Sequence, residues 1–326
     1  MEIISSIEQN LVSPAVLFFV LGILAGFSKS DLTVPKSISS YLSIYLMMAI
    51  GFKGGVAIAN EPILDFKVVS LLVTGVVIGF LIPFIAYAIL RLTSKLDTPT
   101  AAAVAAHYGS ISMVTFATAA AFLKLNDVTY AGYIVAVVAL KEAPAILSGL
   151  YIAHKSAPET NKHTKEEKKL AREIFTNGAI LLLLGSFLIG WMTGQQGMQK
   201  LEGFLVDPFQ GFLCLFLLDM GLMVSKNLAQ LKKMTTSLIL FGIYMPLIGS
   251  TIGLAAAILL DLDLGTGFLF IVLCASASYI AVPAAMRLAL PEAKAAIYVP
   301  MSLAITFPFN VIFGIPLYFA LAKNFL

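Results

Sequence analysis

Two short polar segments carry the residues best placed to do chemistry. GSISMVTFAT (109–118) holds Ser110, Ser112 and Thr115, and ASASYIAVPA (275–284) holds Ser276 and Ser278. A shift of 166 residues lays Ser110 on Ser276 and Ser112 on Ser278. Each segment lies in the middle of a long apolar run, among small residues such as Ala277 and beside a helix-disrupting residue, Gly109 in one and Pro283 in the other. If each helix breaks there, its second half starts with unpaired N–H groups at the positive end of the helix dipole. Two such starts approaching from opposite sides form a site for a small anion without a buried cation. The candidate substrate-binding residues are therefore Gly109, Ser110, Ser112, Thr115, Ser276, Ala277 and Ser278. The bland alternative is that these hydroxyls satisfy backbone or join packed helices; the duplicated Ser-x-Ser pair favours the site.

Charges inside apolar runs come next, because an ionisable group at mid-bilayer costs about 2.5–3.5 kcal/mol even on a lenient scale. Glu142, in LKEAPAI, is the best placed. It precedes Pro144, which removes a backbone donor and frees a carbonyl. A carboxylate beside freed carbonyls suits a hard cation such as Na⁺. A lysine partner or a proton on the acid are the competing readings. Lys141 points roughly 100° away around the helix, so the two are not automatically paired. ITFPFNVIFG offers Thr306 and Asn310 as neutral oxygen ligands in the same role, and Ser112 and Ser278 complete the candidate Na⁺ set. Asp219 is a second buried acid; Lys53 is expected to snorkel and His107 to pack. No transition-metal site is expected, since His107, His154 and His163 lack ligand spacing and Cys214 and Cys274 both lie in apolar runs.

The elements that must position these groups are set by composition. Apolar residues make up 59% of the 326 and charged ones 12%, with a mean hydropathy of +0.94. That leaves too little polar surface for a soluble protein, and excludes a cytosolic enzyme, a nucleic-acid module and a disulfide scaffold. Runs long enough to cross a bilayer, about 20 residues each, occur near 14–29, 38–58, 67–92, 100–123, 129–154, 174–195, 205–225, 235–260, 265–288 and 295–322. Of the 21 basic residues, 15 fall in the connections after the odd-numbered spans. The positive-inside rule then puts both termini outside and the hydrophilic segment 155–173 in the cytoplasm. This segment serves as a connector, with anionic lipid as a possible contact. It divides the chain into a first five-helix repeat, 1–154, and a second, 174–326. Because five is odd, the halves must be inverted, as in many secondary transporters. The residues thus predict an all-α membrane protein of ten helices in a 5+5 inverted repeat, broken in spans 4 and 9. An enzyme would need a nucleophile–base or metal constellation, and none is ordered here.

The chain resembles the bacterial sodium-dependent bicarbonate transporter family, best known from cyanobacteria. The likeness is carried by MMAIGFKGGVAI (47–58), HYGSISMVTFATAAA (107–121), EAPA (142–145), LDMGL (218–222), CASASYIAVPAAMRLALPEA (274–293) and GIPLYFAL (314–321). The resemblance implies a Na⁺-coupled symporter that imports bicarbonate across the bacterial inner membrane, and a homotrimer. It also implies an elevator in which a core of spans 3–5 and 8–10 slides against a gate of spans 1, 2, 6 and 7. The bicarbonate and sodium sites would lie where broken spans 4 and 9 face each other. In the cyanobacterial pattern an acidic residue stands in place of Tyr279, an aspartate in place of Glu142, and the central loop is much longer. A regulatory PII-like protein binds the cyanobacterial members and is the partner in question here. Rival functions are a carrier of another small anion, such as a monocarboxylate, and a cation/proton antiporter using Glu142.

Overall fold

The computed structural model describes residues 12–59, 66–155, 178–231, 234–279 and 281–326. Among these, every regular element is helical. The segment 156–173, most of the expected cytoplasmic linker, lies outside the described residues, as does the start of the sixth span.

In chain order the helices are α1 (Pro14–Phe27), α2 (Lys36–Ile58), α3 (Phe66–Thr93), α4 (Thr98–Gly109), α5 (Met113–Leu125), α6 (Ile134–Leu140) and α7 (Glu142–Lys155). There follow α8 (Gly178–Leu205), α9 (Phe209–Leu231), α10 (Thr236–Leu259), α11 (Leu264–Ala275) and α12 (Ala281–Ala289). The last, α13 (Ala295–Phe325), contains two π-helical stretches, Met301–Thr306 and Asn310–Gly314. Among the described residues, six segments are long and apolar enough to cross a membrane: α3, α4 with α5, α6 with α7, most of α9, α10 and α13. The apolar helices α1 and α11 are shorter. The outer surface fits a lipid solvent. On α3, Val69, Val73, Val77 and Leu81 form an outward stripe 45–56% exposed, a spacing that places all four on one helix face. In water such a stripe would be polar.

Interruptions follow local chemistry. Pro144 cannot donate to the carbonyl of Leu140 and its ring crowds it; α6 ends at Leu140 and α7 begins two residues later. The connection expected after span 6 is instead a second helical piece, and α8 kinks where the two pieces join at Gly194, whose φ of 52° and ψ of −148° are not helical and are open to glycine. Span 4 breaks directly after Gly109, as expected. In span 9 the break differs from the expected place. The helix stops at Ala275, and Pro283 lies in the first turn of α12, where a missing N–H costs little.

Two bundles emerge from the packing. α2 runs along α8 and α1 along α9, with glycines at both crossings. A Cβ on Gly22 would sit 2.1 Å from the Leu218 carbonyl oxygen, and one on Gly221 would sit 2.2 Å from that of Phe19. At the other crossing, Gly55 and Gly190 approach the Phe187 and Phe52 carbonyls at 1.9 and 2.2 Å by the same measure. Small residues allow this backbone contact. The remaining helices pack chiefly among themselves, α3 with α4 and α7, and α10 with α11.

Candidate functional site

α4 and α11 are built alike. Each has 12 residues and starts on an aspartate N-cap, Asp97 or Asp263. Asp97 Oδ1 accepts from Thr100 N–H at 2.9 Å and Asp263 Oδ1 from Thr266 N–H at 3.0 Å. Both helices end in extended backbone, at Ser110 and Ser276. Every residue from Thr100 to Gly109 and from Gly265 to Ala275 is buried, so both helices run through the interior and stop there.

The two breaks touch. Ser278 N–H donates to the His107 carbonyl at 2.9 Å. Ser112 N–H donates to Ser276 Oγ at 3.1 Å, and Ser276 Oγ–H donates to the Leu273 carbonyl at 3.2 Å. Ser112 Oγ caps α5, accepting from Thr115 N–H at 3.2 Å and from Thr115 Oγ1–H at 2.8 Å. Ser278 Oγ does similar duty for α12, accepting from Val282 N–H at 3.4 Å. Gly109 is required by close approach: a Cβ there would fall 2.3 Å from Pro83 Cγ and 2.9 Å from the Gly79 carbonyl oxygen.

Glu142 joins this crossing. It is 6% exposed, its Oε1 accepts from Ser278 Oγ–H at 3.3 Å, and Ser110 lies beside it. The Ser110 and Tyr279 hydroxyls, both shut off from solvent, make no close hydrogen bond among the described residues, and their neighbours are the Glu142 carboxylate and the Ser112 hydroxyl respectively. Tyr279 stacks on Phe307, 5.1 Å between ring centroids, with its hydroxyl towards Ser112. Buried polar atoms are almost always paired, so two hydroxyls without a close partner at one crossing stand out.

Thr306 and Asn310 reach the breaks from α13 but not Glu142. Thr306 Oγ1–H donates to the Gly242 carbonyl at 2.7 Å, which leaves its oxygen to accept from Tyr108 OH at 2.8 Å. Asn310 Nδ2–H donates to the Ala275 carbonyl at 2.9 Å, and its Oδ1 accepts from Tyr318 OH at 2.8 Å. Ala277 is buried between the two serines. Asp219 accepts from Ser39 Oγ–H, within the α2–α9 pair. His107 donates from Nδ1 to the Ala103 carbonyl at 2.6 Å and stacks on Tyr298, a packing role. Lys53 holds its ammonium 4.2 Å over the Phe209 ring. It lines, with Lys124, Asp127 and Glu202, a cavity of about 620 Å³ between α5 and the α2, α8 and α9 helices.

Lys141 was not expected at the site. It is 0% exposed, forms no ion pair with Glu142 among the described residues, and donates from Nζ to the Leu273 carbonyl at 2.9 Å. Outside the membrane-spanning segments, Asp97 pairs with Lys294 at 2.7 Å. Burial raises the carboxyl's pKa, but the hydrogen bonds from Lys294 and Thr100 outweigh it and hold the group below its ordinary 3.8.

A model of the Na⁺-dependent bicarbonate transporter superfamily matches residues 14–323. A search of curated proteins found no match. A match that runs from the start of α1 almost to the end of α13, over a chain with buried polar groups at two helix breaks, is decisive: the chain belongs to the Na⁺-dependent bicarbonate transporter superfamily.

Proposed function

We propose that this chain is a Na⁺-coupled symporter that imports bicarbonate across the bacterial inner membrane. The observation that carries the proposal is the crossing of the two breaks, with the Ser110 hydroxyl beside Glu142 and the Tyr279 hydroxyl towards Ser112, neither in a close hydrogen bond. Bicarbonate would lie against Gly109, Ser110, Ser112, Thr115, Ser276, Ala277 and Ser278. Na⁺ would take oxygens from Glu142, Ser112 and Ser278, with Thr306 and Asn310 framing the breaks. An anion entering a negative cell climbs about 2.3 kcal/mol per charge per 100 mV. One Na⁺ moving with it cancels that electrical term, and the inward sodium gradient then drives accumulation.

The matched caps and ends of α4 and α11 support a 5+5 inverted repeat, 1–154 against 174–326, joined by a cytoplasmic linker at 155–173. The pairing of α1 with α9 and of α2 with α8 supports it too. If spans 1 and 2 correspond to spans 6 and 7, each pair is the image of the other. These four helices form the gate, and the rest form a core that slides against them as an elevator. Both termini then face the periplasm. Assembly is as a homotrimer in membrane lipid, and a PII-like regulatory protein is a partner to test at the linker.

The test is uptake of labelled bicarbonate into proteoliposomes, with an inward Na⁺ gradient or with K⁺ replacing Na⁺. Uptake with Na⁺ alone is the expected result. Equal uptake in both refutes sodium coupling. No uptake, with another small anion such as a monocarboxylate taken up instead, reassigns the substrate.

A further inference from the structure

The inverted breaks create two C-terminal helix poles inside the core, at the ends of α4 and α11, each carrying partial negative charge from unpaired carbonyls. In secondary transporters such poles attract coupling cations. They are occupied differently here. At the α4 end, Ser278 N–H takes the His107 carbonyl, and the acid Glu142 lies beside Ser110. At the α11 end a lysine amine is already present: Lys141 Nζ donates to the Leu273 carbonyl at 2.9 Å, and Asn310 holds the Ala275 carbonyl. The stem of Lys141 threads past Gly79, where a Cβ would lie 2.8 Å from Lys141 Cγ. The position is therefore built to admit this long side chain to the interior. Lys141 and Glu142 are the only buried Lys, Arg, Asp or Glu residues among the described residues outside the gate helices, where Asp219 lies.

We propose, resting on the sodium-coupled reading above, that the Lys141 ammonium is a tethered cation at the α11 pole. There it fills the place of a second coupling ion and limits the carrier to one Na⁺ per anion. The empty core then carries one fixed positive and one fixed negative charge. The loaded core adds Na⁺ and a monovalent anion. Both legs of the cycle are electrically neutral, so accumulation follows the sodium gradient and ignores voltage. With Lys141 replaced by an uncharged side chain, Glu142 and the vacated pole draw in a second Na⁺, and each turnover moves one net charge.

The test measures steady accumulation of labelled bicarbonate in proteoliposomes at a fixed Na⁺ gradient, with the potential clamped at zero or at about −100 mV. One net charge changes the accumulation ratio about fifty-fold over that step. Wild type and Lys141→Arg are expected to accumulate equally at both potentials. Lys141→Met is expected to gain the full voltage dependence and to carry two ²²Na⁺ per anion. Voltage-independent accumulation by Lys141→Met, or voltage-dependent accumulation by Lys141→Arg, overturns the proposal. If Lys141→Met folds but does not transport, ²²Na⁺ binding decides: two ions per chain support the proposal and one refutes it. If it does not fold, the wild-type flux ratio decides, one Na⁺ per anion for and two against. Wild-type uptake indifferent to Na⁺ is a failure of sodium coupling itself and takes this proposal with it. The K⁺-for-Na⁺ control reveals that before any variant is compared.

Discussion

Ser110 and Ser112 are two residues apart, equally buried and chemically identical, yet they should respond to alanine in opposite ways. Ser112 Oγ accepts two hydrogen bonds from Thr115 and caps α5. Its removal deletes an N-cap and should cost about 0.5–2 kcal/mol of stability. The Ser110 hydroxyl makes no close hydrogen bond among the described residues and only neighbours Glu142, so Ser110→Ala costs the empty protein less than the loss of a cap. Its melting temperature should fall less than that of Ser112→Ala. The main loss appears when the anion is bound. A hydrogen bond to a charged group contributes about 1.5–3 kcal/mol, so the bicarbonate KM should rise roughly 10- to 150-fold at about 1.4 kcal/mol per decade. The assay pairs thermal melting in detergent with initial uptake rates across bicarbonate concentrations. A Ser110→Ala protein with wild-type KM would show that this hydroxyl does not face the anion. A melting temperature lowered as far as that of Ser112→Ala would show that it does structural work instead.

Further predictions address neighbouring groups. Glu142→Gln keeps an oxygen for Ser278 but loses the charge; the Na⁺ concentration for half-maximal uptake should rise at least about tenfold, and an unchanged value removes Glu142 from the ion site. Gly109→Ala drives a Cβ into Pro83 and the Gly79 carbonyl. It should destabilise by about 1–3 kcal/mol, measured as a lowered melting temperature, and wild-type melting would refute the tight α3–α4 contact. Asp97 has a lowered pKa, so its contribution is fully present above the ordinary carboxyl value of 3.8 and is lost as pH falls through the lower folded value. Wild type should therefore lose its advantage over Asp97→Asn on acidification in melting experiments; an advantage independent of pH would refute the role of the ion pair.

Much of this arrangement is written in local pattern. Ser110, Ser112, Ser276 and Ser278 lie in continuous apolar runs, where hydroxyls at matched spacing stand out, and they meet at the crossing. The break before α7 follows from Pro144 and the carbonyl four residues earlier. Leu-Asp-x-x-Thr recurs at 96–100 and 262–266, a helix-start signal that fixes the equivalence of α4 and α11 more sharply than hydropathy does. Other features are not local. Pro283 reads as a breaker, but the helix has already stopped at Ala275 and proline fits the first turn of the next one. Lys141 meets a backbone carbonyl 132 residues away, and no spacing rule reports a partner that any residue type would supply. Thr306 and Asn310 share an oxygen-ligand pattern, yet their partners, Tyr108 and Tyr318, are set by how α13 packs against α4 and by its own π-turns.

The most direct measurement of the central claim is an experimental structure in saturating Na⁺ and bicarbonate. The predicted result is a planar anion between the ends of α4 and α11, with an oxygen about 2.6–3.2 Å from Ser110 Oγ and a cation at Glu142. Density for the anion elsewhere in the chain, or ligand bound with Ser110 and Ser276 turned away from it, would contradict the account.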